Sequence, residues 1–367
     1  MANPGYKAVI ADAYGRPLKD LRMAVTPECN LDCFFCHMEG ASQSGPEKPG
    51  SWKPVISAEE YGIIGEAASL LGVGSFKLTG GEPLLREDVE EIVENLAVYG
   101  EVSMTTNGIL LPVKARGLAR SGLARVNVSI HSLESHVYER ITRRRVLGLA
   151  LKGIEAALNA GLGVKVNMVL LKGVNEDDFW RLLQLAEELG FDLQVIELHP
   201  AGRGAKVAGR YRRPLDAIEE KLSSMAVALE TGRLHNRRVY RLSRGVRVYI
   251  VDPVENPLFC MGCYRVRLTW DGRILPCIYW KGRTPSILEA LKSGLSREER
   301  VLSVAQVLIE ANILRRPTFL FGPDREPEQG SDGRGLRIGV PSRSKARRVL
   351  EGLRGITRPK VVYPPRT

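Results

Sequence analysis

The chain has 367 residues, 44% of them hydrophobic, and six cysteines, enough sequence for a barrel-sized core and a second, smaller region. Its first twenty residues lack a cationic start followed by an apolar core, and no uncharged apolar run approaches about 18 residues, so a cytoplasmic protein that does not span a membrane is expected. The net charge of +11 is not a nucleic-acid signature: residues 331–367 hold ten Lys and Arg against two Asp and Glu, or +8, which leaves +3 for the rest and places the basicity in a solvated tail with one short helix near 345–353.

From residue 20 to residue 199, short β-type runs alternate with amphipathic stretches of helical period. The strand segments are DLRMAVT, SFKLTG, VSMTTN, RVNVSI, VKVNMVL and LQVIEL. Between them lie the helical segments SAEEYGIIGEAASLLG, REDVEEIVENLAVYG, LLPVKARGLARSG, RRVLGLALKGIEAALNAG and NEDDFWRLLQLAEELG. Six successive βα units predict a parallel sheet, an incomplete (β/α)6 barrel of α/β class with an open side. In strands covered by helices the outward face must be apolar, so alternate polar residues point inward. Lys77, Thr79, Asn127, Ser129, Lys165 and Asn167 are those residues, and a polar, cationic lumen suits an anionic ligand.

After Pro200 a basic linker, AGRGAKVAGRYRRP, leads to an expected helix over 215–229 and to the β segments VRVYIVD and YRVRLTWDGRILPCI. The second of these reads as a hairpin turning at Trp270-Asp271-Gly272-Arg273. Helices are expected near 286–293 and 297–312. The expected domains are a barrel over 1–205, a C-terminal α+β domain over 206–322 and a tail over 323–367. There is no internal repeat, Walker phosphate loop or dinucleotide fingerprint.

The cysteines fall into two triplets, Cys29, Cys33, Cys36 and Cys260, Cys263, Cys277. In a reducing compartment these are metal ligands rather than a disulfide scaffold. Zinc and an iron–sulfur cluster are both candidates for the first set. A structural zinc site wants four protein ligands, and His37, next to Cys36, is badly placed to be the fourth. A [4Fe–4S] cluster held by three thiolates leaves one iron free to bind something else.

The spacing C-x3-C-x2-C after a first strand, with TGGEP at 79–83 after the second, resembles radical S-adenosylmethionine (SAM) enzymes. That resemblance implies a [4Fe–4S] cluster on Cys29, Cys33 and Cys36 whose open iron chelates SAM. It also implies reductive cleavage to a 5′-deoxyadenosyl radical, with the TGGEP segment, Gly81 and Glu82 included, on the methionine amino group. The second set, C-x2-C-x13-C, cannot by spacing alone be told from a zinc knuckle or a structural cluster. Beside it, Arg265 and Arg267 stand at i and i+2, so on a strand both guanidiniums face one way, suiting phosphate oxygens.

Over about residues 14 to 316, with motifs from YGRPLKDLRMAVTPECNLDCFFC to FCMGCYRVRLTWDGRILPC, the chain is similar to the GTP 3′,8-cyclases of molybdenum cofactor biosynthesis. This resemblance implies a second [4Fe–4S] cluster on Cys260, Cys263 and Cys277 that binds guanine. It implies hydrogen abstraction from ribose C3′ and closure onto C8, giving 3′,8-cyclo-7,8-dihydro-GTP. Phe35, Gly81, Glu82, Ser129 and His199 would contact SAM. Arg22, Lys77, Thr105, Lys165, Arg265 and Arg267 would bind GTP. Implied partners are GTP, SAM, an electron donor such as ferredoxin or flavodoxin and the downstream cyclic pyranopterin monophosphate synthase; a homodimer is allowed, and nucleic acid and membrane are not expected.

The pattern departs from the family in four places. Gln194 stands where bacterial members have arginine, His199 where methionine is expected, and His131 where Asp is frequent. The chain ends VVYPPRT without the bacterial Gly-Gly tail. Arg-rich tail residues in its place, a branch without that function, or a relative with another substrate all stay open. The alternatives are a radical SAM enzyme that modifies a peptide or tetrapyrrole, or a non-catalytic electron-transfer or zinc module, which would leave TGGEP unexplained.

Overall fold

A computed structural model describes residues 9–39, 52–232, 234–254, 256–292 and 294–318; the expected tail helix lies outside them. The alternating segments form β1 (Asp20–Ala24), α1 (Ala58–Leu70), β2 (Ser75–Thr79), α2 (Val89–Ala97), β3 (Glu101–Thr106), α3 (Leu111–Arg120), β4 (Leu123–Ser129), α4 (Ser135–Thr142), α5 (Leu147–Asn159), β5 (Gly163–Leu170), α6 (Asp178–Leu189) and β6 (Asp192–Glu197). Each of these strands pairs in parallel with the next. Local chemistry starts α1. Ser57 caps α1, its hydroxyl accepting from the Glu60 N–H while the Glu60 carboxylate accepts from the Ser57 N–H.

The expected alternation of faces is present. Phe76, Leu78, Val126, Val128, Val166 and Met168 are fully buried in the apolar layer under the helices, whereas Lys77, Asn127 and Asn167 line the lumen. The lumen is therefore not filled by branched side chains, and the space goes to the site.

The later residues form α7 (Gly204–Tyr211), α8 (Asp216–Met225), β7 (Ala226–Thr231), β8 (Arg238–Leu242), β9 (Arg247–Val251), α9 (Pro257–Met261), β10 (Arg265–Leu268), β11 (Ile274–Leu275) and α10 (Arg297–Ile313). Their strands extend both edges of the barrel sheet. β10 lies parallel beside β1 and β9 parallel beside β6, in the order β11-β10-β1-β2-β3-β4-β5-β6-β9-β8-β7. The second cysteine set is thereby carried to the open side of the barrel.

Four local expectations are corrected. The basic linker contains α7, and α4 was not foreseen, because eight-residue helices give too little periodicity. The helix expected over 215–229 stops at Met225: AVALET is composed of helix-compatible residues, but pairing with β8 makes it β7. The helix expected over 286–293 is a single 3-10 turn, Glu289–Leu291. The hairpin at 270–273 forms as expected, with the Thr269 N–H donating to the Arg273 carbonyl at 2.9 Å and Gly272 at φ +82°.

Gly153 of α5 packs against the turn after β3; a Cβ there would stand 2.1 Å from the Gly108 carbonyl oxygen. Gly153→Ala is expected to destabilise the fold by about 1–3 kcal/mol through overpacking, measured by chemical denaturation.

Candidate active site

One cavity of about 1580 Å³ occupies the lumen and its mouth, and every site residue named from the sequence lines it, all six cysteines included. The first cysteine loop follows β1. The Leu31 N–H donates to Cys29 Sγ at 3.5 Å and the Met38 N–H to Cys36 Sγ at 3.3 Å, with Met38 held at φ 53°. The residues around Gly202 brace this loop, because the Arg203 N–H donates to the Cys36 carbonyl at 2.9 Å and Arg203 ion-pairs with Asp32. The Phe35 ring meets His131 edge-on at 4.9 Å.

Gly81 is required by close approach. Its N–H donates to the Thr26 carbonyl at 2.8 Å, and a Cβ would fall 2.0 Å from the Glu28 carbonyl oxygen. Glu82 is buried and already partnered, accepting from the Thr106 hydroxyl at 2.7 Å, the Asn107 N–H at 2.7 Å and the Leu84 N–H at 3.1 Å. Burial raises its pKa to about 7, against the pull of those three donors. Its carboxylate ties the ends of β2 and β3 together and reaches the cavity from there. Ser129 ends β4. His131 Nδ1 accepts from the Val169 N–H at 3.2 Å, and burial lowers its pKa to about 4, so the ring is a neutral brace between β4 and β5.

The second cysteine set is held by buried arginines. Arg16 Nη1 donates to the Cys260 carbonyl at 2.8 Å, Arg315 donates to the Cys263 carbonyl, and Asp12 ion-pairs with both, at 2.7 and 3.5 Å. Two residues past Cys277, the Tyr279 hydroxyl and His199 Nδ1 are hydrogen-bonded at 2.8 Å, and burial pushes this imidazole down to about 3, so it is neutral. Its ring also faces that of His37, next to Cys36, with centroids 6.4 Å apart, so His199 lies between the two cysteine loops.

Burial above all pushes thiols of the site upward, Cys29 to about 12 and Cys277 to about 11, with Cys33 and Cys36 moved the same way. The first set therefore stays protonated unless a cationic group compensates its three thiolates. Each set offers three thiol donors to the cavity, and on the first set an all-sulfur donor set of this kind suits an iron–sulfur cluster with one iron left open.

Strand register builds the cationic part. Arg22 stands opposite Arg267 of β10 on one side and opposite Lys77 of β2 on the other, and Asp20 stands opposite Arg265. Arg265 is ion-paired with buried Asp20. Burial pushes the Asp20 carboxyl up, and the Arg265 guanidinium overrides this to leave it below the usual range. Arg22 and Arg267 share Glu39, which lies 2.5 Å from Arg22. Burial lowers Arg22 to about 9 and Arg267 to about 10, which still leaves both charged at neutral pH. Lys77 Nζ donates to Asn127 Oδ1 at 2.9 Å, and Lys165 Nζ sits 3.1 Å from the centre of the Tyr249 ring. Thr105 lines the same wall. The arginines at 265 and 267 share a face as expected, yet each meets a carboxylate that sequence reasoning missed, Asp20 and Glu39. Asp20 was readable as a charge two positions before Arg22; Glu39 gave no signal.

The profile of the Radical SAM superfamily matches residues 23–186, and that of Molybdenum Cofactor Synthesis C matches residues 191–321. The fold and the first cysteine loop thus define a radical SAM protein, which implies a [4Fe–4S] cluster and SAM. Probable GTP 3′,8-cyclases of Aeropyrum pernix and Sulfurisphaera tokodaii are 73% and 39% identical, covering 93% and 84% of this chain and 97% of each relative. The chain belongs to this GTP 3′,8-cyclase family. Streptococcus suis SuiB bound to S-adenosylmethionine shares the fold at TM-score 0.57 and 17% identity, over 74% of this chain and 64% of that one, just under two thirds of its length.

Asp20→Asn is expected to cost about 3–5 kcal/mol by leaving Arg265 buried without its partner. Chemical denaturation checks this, and Asp20→Asn with Arg265→Gln should recover most of the loss.

Proposed function

We propose that the chain converts GTP to 3′,8-cyclo-7,8-dihydro-GTP, the first step of molybdenum cofactor synthesis. The observation that carries this is the meeting, in one cavity, of two three-cysteine sets and the row Arg267, Arg22, Lys77. Cys29, Cys33 and Cys36 would hold the cluster that, when bound, supplies the electron for SAM cleavage. Phe35, Gly81, Glu82, Ser129 and His199 would shape the SAM pocket beside it. Cys260, Cys263 and Cys277 would hold a second cluster for the guanine, clamped through Arg16 and Arg315.

The protein's own side chains orient the nucleotide. Arg22 and Arg267 would exchange Glu39 for phosphate oxygens, since a triphosphate offers both guanidiniums more charge than one carboxylate. Lys77, Lys165 and Thr105 would continue the contact along the lumen, and Arg265, neutralised by Asp20, would position β10. The two regions would share the work: residues 1–205 would serve SAM and also lend Arg22, Lys77, Thr105 and Lys165 to the nucleotide, and residues 206–322 would add the second cysteine set and Arg267. A low-potential donor such as ferredoxin or flavodoxin would supply electrons.

Two outcomes follow. Cys263→Ala should lower iron from about eight to about four atoms per chain. It should keep reductant-dependent SAM cleavage and abolish the cyclic product; retained cyclisation would remove the role of the second set. The second outcome concerns pH. Burial pushes Lys77 and Lys165 well below the ordinary lysine range, with neighbouring cations acting the same way. A triphosphate reverses this by favouring the charged forms. GTP binding should therefore take up protons and weaken as pH rises. Calorimetry in buffers of different ionisation enthalpy reads the uptake directly; buffer-independent heats would contradict it.

A further inference from the structure

Between β7 and β8, residues 234–237 at a hairpin tip reach into the cavity. Its residues are fastened to the segment that carries the second cysteine set. The His235 N–H donates to the Gly262 carbonyl, the His235 ring stacks on Phe259 with centroids 4.1 Å apart, and Asn236 Nδ2 donates to the Leu258 carbonyl at 2.9 Å. His235 and Asn236 both adopt left-handed backbone, φ 65° and 48°, an arrangement that costs energy in residues other than glycine and persists where surrounding contacts enforce it. The residue that this turn delivers is Arg237.

Arg237 is half-buried and lines the cavity. Among the described residues its polar partners are neutral: Nη1 donates to Gln194 Oε1 at 2.8 Å, and Nη2 lies 3.3 Å from His235 Nδ1. Among the described residues its Nε is buried without a hydrogen-bond partner, as are Arg22 Nε and Arg267 Nη1. What sets Arg237 apart is charge: Arg22, Arg265 and Arg267 each meet a carboxylate. Arg265, Arg22 and Lys165 are close enough to repel it, and the nearby carboxylate that attracts it, Asp20, is already paired with Arg265. A guanidinium held in a positive cavity with an unused donor is costly until an anion arrives.

A chain of amides links it to the opposite wall. Gln194 Nε2 donates to Asn167 Oδ1 at 3.0 Å, Asn127 Nδ2 donates to the same oxygen at 3.2 Å, and Asn127 Oδ1 accepts from Lys77. Every amide is oriented by its neighbour, so Gln194 turns its oxygen toward Arg237 and fixes the guanidinium. The sixth strand thus carries no cation of its own at position 194, and the positive charge comes from the C-terminal hairpin.

We infer that Arg237 is a phosphate-binding residue for the nucleotide, presented by the hairpin and aimed by Gln194. This rests on the GTP reading above. The test measures GTP and guanosine affinity of the cluster-reconstituted, SAM-loaded protein by equilibrium dialysis, with iron content and Tm measured for each variant. Arg237→Gln should bind GTP about 10- to 100-fold more weakly, the loss of a charge-assisted hydrogen bond, with guanosine affinity unchanged. Exchanging the partners, Gln194→Arg with Arg237→Gln, returns the guanidinium from the other side of the same contact and should restore GTP affinity to within about threefold of wild type, provided the charge and not the hairpin's shape is what matters. Unchanged GTP affinity in Arg237→Gln overturns the inference. So does an equal loss for guanosine, or a loss accompanied by lower iron content or Tm, since these mark a structural role. A wild-type protein that binds no GTP removes the GTP reading and this inference with it, whereas wild-type binding beside an equally tight Arg237→Gln variant removes the inference alone.

Discussion

The arrangement depends on one rung of the sheet, where Arg267, Arg22 and Lys77 stand side by side on three parallel strands. Like charges directly opposite one another are destabilising, and burial makes the repulsion stronger. The fold tolerates the rung through two devices. Glu39 lies between the two arginines, and Lys77 is turned onto the amide of Asn127. Neither device neutralises the whole row. On the function proposed above, the remaining positive charge would give an anionic substrate its binding energy.

That rung exists only because β10 returns from the far end of the sequence to pair with β1. The same return carries Cys260, Cys263 and Cys277 to the barrel mouth, and the buried arginines at 16 and 315 lock it by holding the backbone carbonyls of Cys260 and Cys263. The N-terminal region therefore does more than lead into the first strand: Asp12 and Arg16 belong to the support of the second cysteine set. On the opposite edge, β9 and its hairpin neighbours bring Arg237 against Gln194. The C-terminal region supplies cations to both ends of one lumen.

Much of this was legible in the sequence. The two cysteine triplets, the six βα units and the inward-pointing lysines follow from spacing and from the alternation of apolar and polar residues, signals that local physics keeps close to the surface of the sequence. What was not legible depends on long-range register. The run AVALET reads as helix until β8 pairs with it, and the basic linker hides α7, whose N-cap residue Arg203 braces the first cysteine loop. Arg265 and Arg267 were readable as a pair facing one way, but their carboxylates come from positions 20 and 39, more than two hundred residues earlier. Glu82, taken from its motif as a SAM contact, proves to be engaged first by Thr106, Asn107 and Leu84.

The central claim is that one cavity brings a SAM-derived radical to the ribose of GTP. The most direct measurement is mass spectrometry of the products formed anaerobically from reconstituted protein, SAM, dithionite and GTP deuterated at C3′. The prediction is deuterium in 5′-deoxyadenosine, matched mole for mole by a nucleotide that has lost that deuterium, is otherwise isomeric with GTP and elutes apart from it. Formation of 5′-deoxyadenosine free of deuterium, with GTP recovered intact, would contradict it.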